Sequence, residues 1–208
     1  MFGRTVILVV FVLFVFACKK EAEPVGPSLP PGTSPYTEAE IDFVPYSAGQ
    51  ITFKKAPAFT ETLTLEFVER LATEQVFAWN QTFFKWNTDA ALQLEFRLRY
   101  LQAEDEAQKT LAIYLPYRDN SGIVRSSIFE TPIVSTGLSD GFFADLVSYH
   151  TEIELHGTIW NNVFEINPLV TTEPGEDSPL NFSKVFYTKS NGIIVMIQKN
   201  GDEWVLQP

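Results

Sequence analysis

The sequence predicts an all-β protein: a single antiparallel β-sandwich or open barrel-like domain behind a signal peptide and a proline-rich tether. Three observations predict it. Short segments that alternate apolar and polar residues recur about every 8–12 residues, with turn residues between them. No segments of helical period alternate with them, which argues against an α/β arrangement. Hydrophobic residues make up 45% and aromatics 14% of the chain, with 18 Phe. That is too apolar for a disordered chain and weighted toward residues that suit strands.

The chain opens with Arg4, an unbroken apolar run from Val6 to Phe16, and the small residue Ala17. These are the positive, apolar and cleavage regions of a secretory signal. The apolar run of about 11 residues falls well short of the roughly 20 that cross a bilayer as a helix. Cys18, the only cysteine, follows directly, with Val15 two positions before Ala17.

Val15-Phe16-Ala17-Cys18 resembles the lipobox of bacterial lipoproteins, although Phe16 is bulkier than the residue usual at its position. The resemblance implies cleavage between Ala17 and Cys18 and acylation of Cys18. Two or more acyl chains hold a protein stably where one does so only marginally. Lys19-Lys20-Glu21-Ala22-Glu23 is similar to the charged signal behind the acylated cysteine in surface-exported lipoproteins of Bacteroidota-type bacteria. It implies an outer-membrane protein facing outward; the plainer reading is a solvated linker. With Cys18 acylated, the body has no thiol left for a disulfide, for catalysis or for zinc.

From Lys19 to about Tyr36, Pro24, Pro27, Pro30, Pro31 and Pro35 alternate with Gly and Ser. Such a stretch favours extended polyproline II structure and spans about 50 Å. The expected organisation is signal 1–17, linker 18–40 and one all-β domain 41–208. The body is about 165 residues, enough for a single sizeable core. The formal net charge is -11, and removing Arg4 with the signal makes it -12. A surface of that sign repels phosphates and argues against nucleic acid as a partner.

Within the body, Pro45 to Gly49 reads as a turn and Gln50 to Lys54 as a strand, with Ile51 and Phe53 on one face. Thr62 to Phe67 alternates again. Val68, Leu71 and Ala72 then break the period of two, and a short helix is expected there. Val76 to Trp86 is dense in aromatics.

Leu92 to Tyr100 carries the clearest alternation: Leu92, Leu94, Phe96, Leu98 and Tyr100 against Gln93, Glu95, Arg97 and Arg99, one buried face and one wet face. Leu111, Ile113 and Leu115 return the chain as a hairpin across Glu104-Asp105-Glu106. A strand from Ile123 to Phe129 is limited by Pro132. Thr151 to Leu155 and Thr158 to Ile166 flank Gly157. Val185 to Thr188, Ile193 to Gln198 and Glu203 to Leu206 close the chain, the last two across the tight-turn pair Asn200-Gly201.

The last third is similar to uncharacterised lipoproteins of the Bacteroidota. The matching pieces are His156-Gly157-Thr158-Ile159-Trp160-Asn161-Asn162-Val163-Phe164, Val185-Phe186-Tyr187-Thr188-Lys189-Ser190-Asn191-Gly192-Ile193, and Asn200-Gly201-Asp202-Glu203-Trp204. The resemblance implies an address and a fold, and transfers no catalytic residue.

Candidate chemistry is sparse. His150, Glu152, Glu154 and His156 share one face of a strand. At about 3.3 Å per residue, however, the two histidines lie about 20 Å apart and cannot share an ion. A neighbouring pair could supply two ligands, but the wet face of an amphipathic strand explains the pattern. Glu104-Asp105-Glu106, and Glu173, Glu176 and Asp177, are acidic loops without the spacing of a calcium loop. Phe77, Trp79, Phe83, Phe84 and Trp86 could stack on sugar rings, though aromatics in β-proteins mostly fill cores.

Carboxylates are too plentiful to single out a glycosidase pair. No phosphate loop or His-Glu-x-x-His occurs. The expectation is a non-enzymatic outer-membrane lipoprotein with a binding or structural accessory role, no cofactor, a membrane contact through its lipid, and a glycan or envelope protein as ligand. The alternatives are a glycan-binding surface module and an envelope hydrolase. Cys18 is the one named site, as lipidation residue.

Overall fold

A computed structural model of the chain describes residues 36–46, 49–77, 80–88, 94–102, 107–118, 124–133, 145–169 and 181–207. A short helix, α1 (Glu38–Ile41), precedes the strands β1 (Gly49–Ala56), β2 (Thr62–Phe77), β3 (Asn80–Thr88), β4 (Glu95–Gln102), β5 (Ala107–Arg118) and β6 (Val124–Pro132). The second half holds β7 (Val147–Leu155), β8 (Thr158–Ile166), β9 (Phe182–Thr188), β10 (Gly192–Gln198) and β11 (Glu203–Leu206). The protein is all-β and antiparallel, as its alternation predicts.

These strands form one sheet in the order β6-β5-β4-β3-β2-β1-β11-β10-β9-β8-β7. Two meanders, each made of hairpins, meet where β1 pairs with β11. The sheet curls enough for its β6 edge to meet the turn beyond β8. Phe129 bridges Pro168, and the Leu169 N–H donates to the Ile128 carbonyl at 2.7 Å.

The hairpin expected across residues 104–106 is β4–β5, with Phe96 opposite Ile113 and Leu98 opposite Leu111. All four side chains are fully buried. β8 and β11 begin and end where the alternation places them.

Three expectations change. The helix expected near Val68 to Ala72 is absent, because β2 runs through to Phe77. Its register against β3 shifts between Phe67 and Glu69 and again between Ala72 and Gln75. Each extra residue in a bulge moves the next side chain to the other face, so the period of two breaks without a helix.

Packing also starts ahead of Ile41. Tyr36, Ile41, Phe43, Val44 and Tyr46 are all buried in the principal core, so residues 36–40, expected as the end of the linker, belong to the folded body.

Finally, the wet face of β4 is half-covered: the side chains of Glu95, Arg97 and Arg99 are only 19%, 25% and 13% exposed.

Candidate functional site

The segment from Tyr36 to Tyr46 lies across the core as a strap. Its local shape follows from Thr37, whose hydroxyl accepts from the Glu40 N–H while the Glu40 carboxylate accepts from the Thr37 N–H at 2.7 Å. This capping box satisfies helix-end donors that would otherwise be open. It also presents Glu40 to β5, where the Lys109 ammonium donates to both of its oxygens at 2.8 and 2.9 Å. The same ammonium sits over the Tyr36 ring.

Partial burial pushes the Glu40 pKa up. The bonds from Lys109 and Thr37 outweigh that and hold the carboxyl below its ordinary range.

The far half of the strap is tied to the other meander. Phe43 stacks on Tyr187 and lies tilted against Phe164. The Tyr187 hydroxyl donates to the Phe43 carbonyl at 2.5 Å. Tyr46 packs on Phe96 of β4, and its hydroxyl accepts from the Ile193 N–H of β10 at 2.6 Å. Burial raises the pKa of both phenols, so they stay protonated. The strap thereby joins β4 and β5 to β8, β9 and β10.

Two further charged groups bridge strands, and the first, Arg99 with Glu130, lies within electrostatic reach of the strap's Tyr36. Register places Arg99, Thr110 and Glu130 on the face of β4–β6 opposite Leu98, Leu111 and Ile113. Glu130 is 2% exposed. Its Oε2 accepts from Arg99 at 2.8 Å and its Oε1 from Thr110 at 2.5 Å. Desolvation raises its pKa, against the lowering pull of Arg99 and Thr110. With both oxygens engaged and almost no exposed surface, this acid ties β4, β5 and β6 together. On β7–β9, Glu165 accepts from His150 at 2.8 Å and from Lys184.

The histidines expected on one wet face part company. His150 is in β7 beside Glu165. His156 is a turn residue with φ of 51°, its Nε2 2.6 Å from Glu203 of β11. Glu152 and Glu154 are exposed on β7. Among the described residues, no group of three or more His, Cys, Asp or Glu is arranged to hold a metal ion.

Ala17, Cys18, Trp79, Glu104, Asp105, Glu106, Glu173, Glu176 and Asp177 lie outside the described residues. Phe77 ends β2, and β3 carries Phe83, Phe84 and Trp86.

Sequence reasoning missed the strap. Its available signal was Thr37-Glu38-Ala39-Glu40-Ile41, a capping box before an apolar residue. No family model, curated protein or solved structure matches the chain.

Proposed function

We propose that the protein is an outer-membrane lipoprotein of the Bacteroidota type, acylated on Cys18, whose β domain serves a non-enzymatic binding or structural role in the cell envelope. The observation that carries this reading is the strap. Cys18 and the proline-rich stretch lead directly into Tyr36, which is buried in the core. A lipid at Cys18 would therefore hold the domain through its interior and not through a frayed end. Ile41, Phe43, Val44 and Tyr46 of the strap fill part of the principal core. The charged signal at Lys19 to Glu23 supports an outward-facing domain.

The test is protease shaving of intact cells, with Cys18→Ala alongside. Digestion of the domain while a periplasmic marker survives is the expected result. Survival until the outer membrane is broken would place the domain in the periplasm and reject the surface signal. A Cys18→Ala protein that stays as firmly membrane-bound as the wild type would reject the lipid anchor.

A further inference from the structure

We propose that the outer half of the β7–β8 hairpin is a hinged flap that opens separately from the rest of the domain and uncovers an apolar face of β9–β11. β8 pairs with β9 only from Val163 to Ile166, opposite Thr188 to Val185. Residues 158–162 therefore run past the end of β9. Yet His156, at the tip of the hairpin, reaches Glu203 at the opposite end of the sheet. The hairpin must fold back across the outside of β9, β10 and β11.

The packing agrees. Ile153, Leu155 and Trp160 lie against a second core of Val163, Phe186, Ile194, Val195 and Val205, separate from the principal one.

The fold-back has a hinge. The β7–β8 ladder pairs His150 with Val163 and Glu152 with Asn161, passing over Thr151 and Asn162. Asn162 has φ of 54°, a left-handed conformation that asparagine tolerates better than most residues. Its side-chain oxygen accepts from the Tyr149 hydroxyl at 2.5 Å. It also has a latch at the tip. Besides its contact with Glu203, the His156 ring meets the Phe59 ring edge-on at 6.2 Å.

Among the described residues, backbone pairing to β9 stops at Val163, so beyond the hinge the flap is held to the sheet by side-chain packing and the latch. Segments held in that way open at lower free energy than core strands. The Trp160 indole N–H, buried with no acceptor in the closed position, would regain water on opening.

The test uses the full chain carrying Cys18→Ser, so that a reporter cysteine is the only thiol. Val195→Cys places it under the flap, and Ile113→Cys places it in the principal core as reference. Thiol-reagent labelling under native conditions is expected to be at least tenfold faster at Val195→Cys than at Ile113→Cys. Adding His156→Asn removes the latch but keeps a residue suited to positive φ in the turn. It should speed labelling at Val195→Cys severalfold and leave Ile113→Cys unchanged. Equal labelling of the two sites overturns the proposal, as does a His156→Asn effect that is absent or shared by both.

Discussion

The Tyr46 hydroxyl is the acceptor for the buried N–H of Ile193, at 2.6 Å, joining positions 147 residues apart. The same hydroxyl donates to the Asn191 carbonyl at 3.3 Å. The strap is thus bonded into the start of β10 and does more than lie against it.

Tyr46→Phe should therefore cost about 1–3 kcal/mol, the penalty of a buried donor left open, read as a lower urea midpoint. Gly192 makes a second test of the same contact. It has φ of 72°, and a Cβ added there would lie 1.9 Å from the Tyr46 oxygen and 2.1 Å from its ring. Gly192→Ala should cost about 3 kcal/mol from backbone strain and overpacking together. In a Tyr46→Ala background the clash is gone and only the backbone strain remains. The two substitutions should then be clearly less than additive, and full additivity would disprove the contact.

Glu40 gives the strap a pH dependence of defined sign. Its folded pKa is lowered, so its contribution is present above the unfolded value of about 4.3 and is lost as pH falls through the folded one. Glu40→Gln should lower the urea midpoint at pH 7, with the gap to wild type closing toward pH 3. Glu165, also lowered, keeps part of the acid sensitivity in that variant. A gap that stays constant from pH 7 to pH 3 would mean that the Glu40–Lys109 pair contributes nothing.

Arg99 and Glu130 should respond asymmetrically. Glu130→Gln retains an oxygen for Arg99 and gains an N–H for Thr110 while removing a buried charge, so its cost should stay within about 1 kcal/mol. Arg99→Ala strands the carboxylate of a residue that is 2% exposed and should cost about 3 kcal/mol or more. Chemical denaturation of the two variants at pH 7 checks the order, and equal losses would contradict it.

The legible parts of the fold are those in which one side of a strand is apolar. β4 and β5 declare themselves because Leu94, Phe96 and Leu98 face Leu111, Ile113 and Leu115 with little interruption. Asn200-Gly201 marks its hairpin because Gly201 has φ of 89°. β2 was legible only to its first bulge, since a register shift erases the alternation that identifies a strand. The flap was hidden for another reason. Ile153, Leu155 and Trp160 alternate as in any strand, and nothing local says that they cross over the outside of the sheet.

At the candidate sites, residue type was readable but partners were not. His150 and His156 were visible, whereas Glu165 and Glu203 arrive from strands whose neighbours the sequence does not name. The strap was obscured by Pro35 and the prolines before it, which make Tyr36 to Glu40 look like more tether.

The boundary of the folded body is the sharpest test of the strap. A protein beginning at Gly32 keeps Tyr36, the Thr37–Glu40 capping box and the Lys109 pair, and should unfold cooperatively in urea. One beginning at Ile41, where the alternation suggests that the domain starts, loses all three. Removing a buried aromatic costs about 2 kcal/mol and losing the cap about 1 kcal/mol, before the Lys109 pair is considered. Against a total stability of about 5–15 kcal/mol for a domain, that protein should show a lowered midpoint of at least 3 kcal/mol in equivalent free energy. It should also expose Lys109 and Tyr100 at the vacated end. If the two proteins unfold at the same denaturant concentration, residues 36–40 are tether after all, and the anchor meets the domain at Ile41.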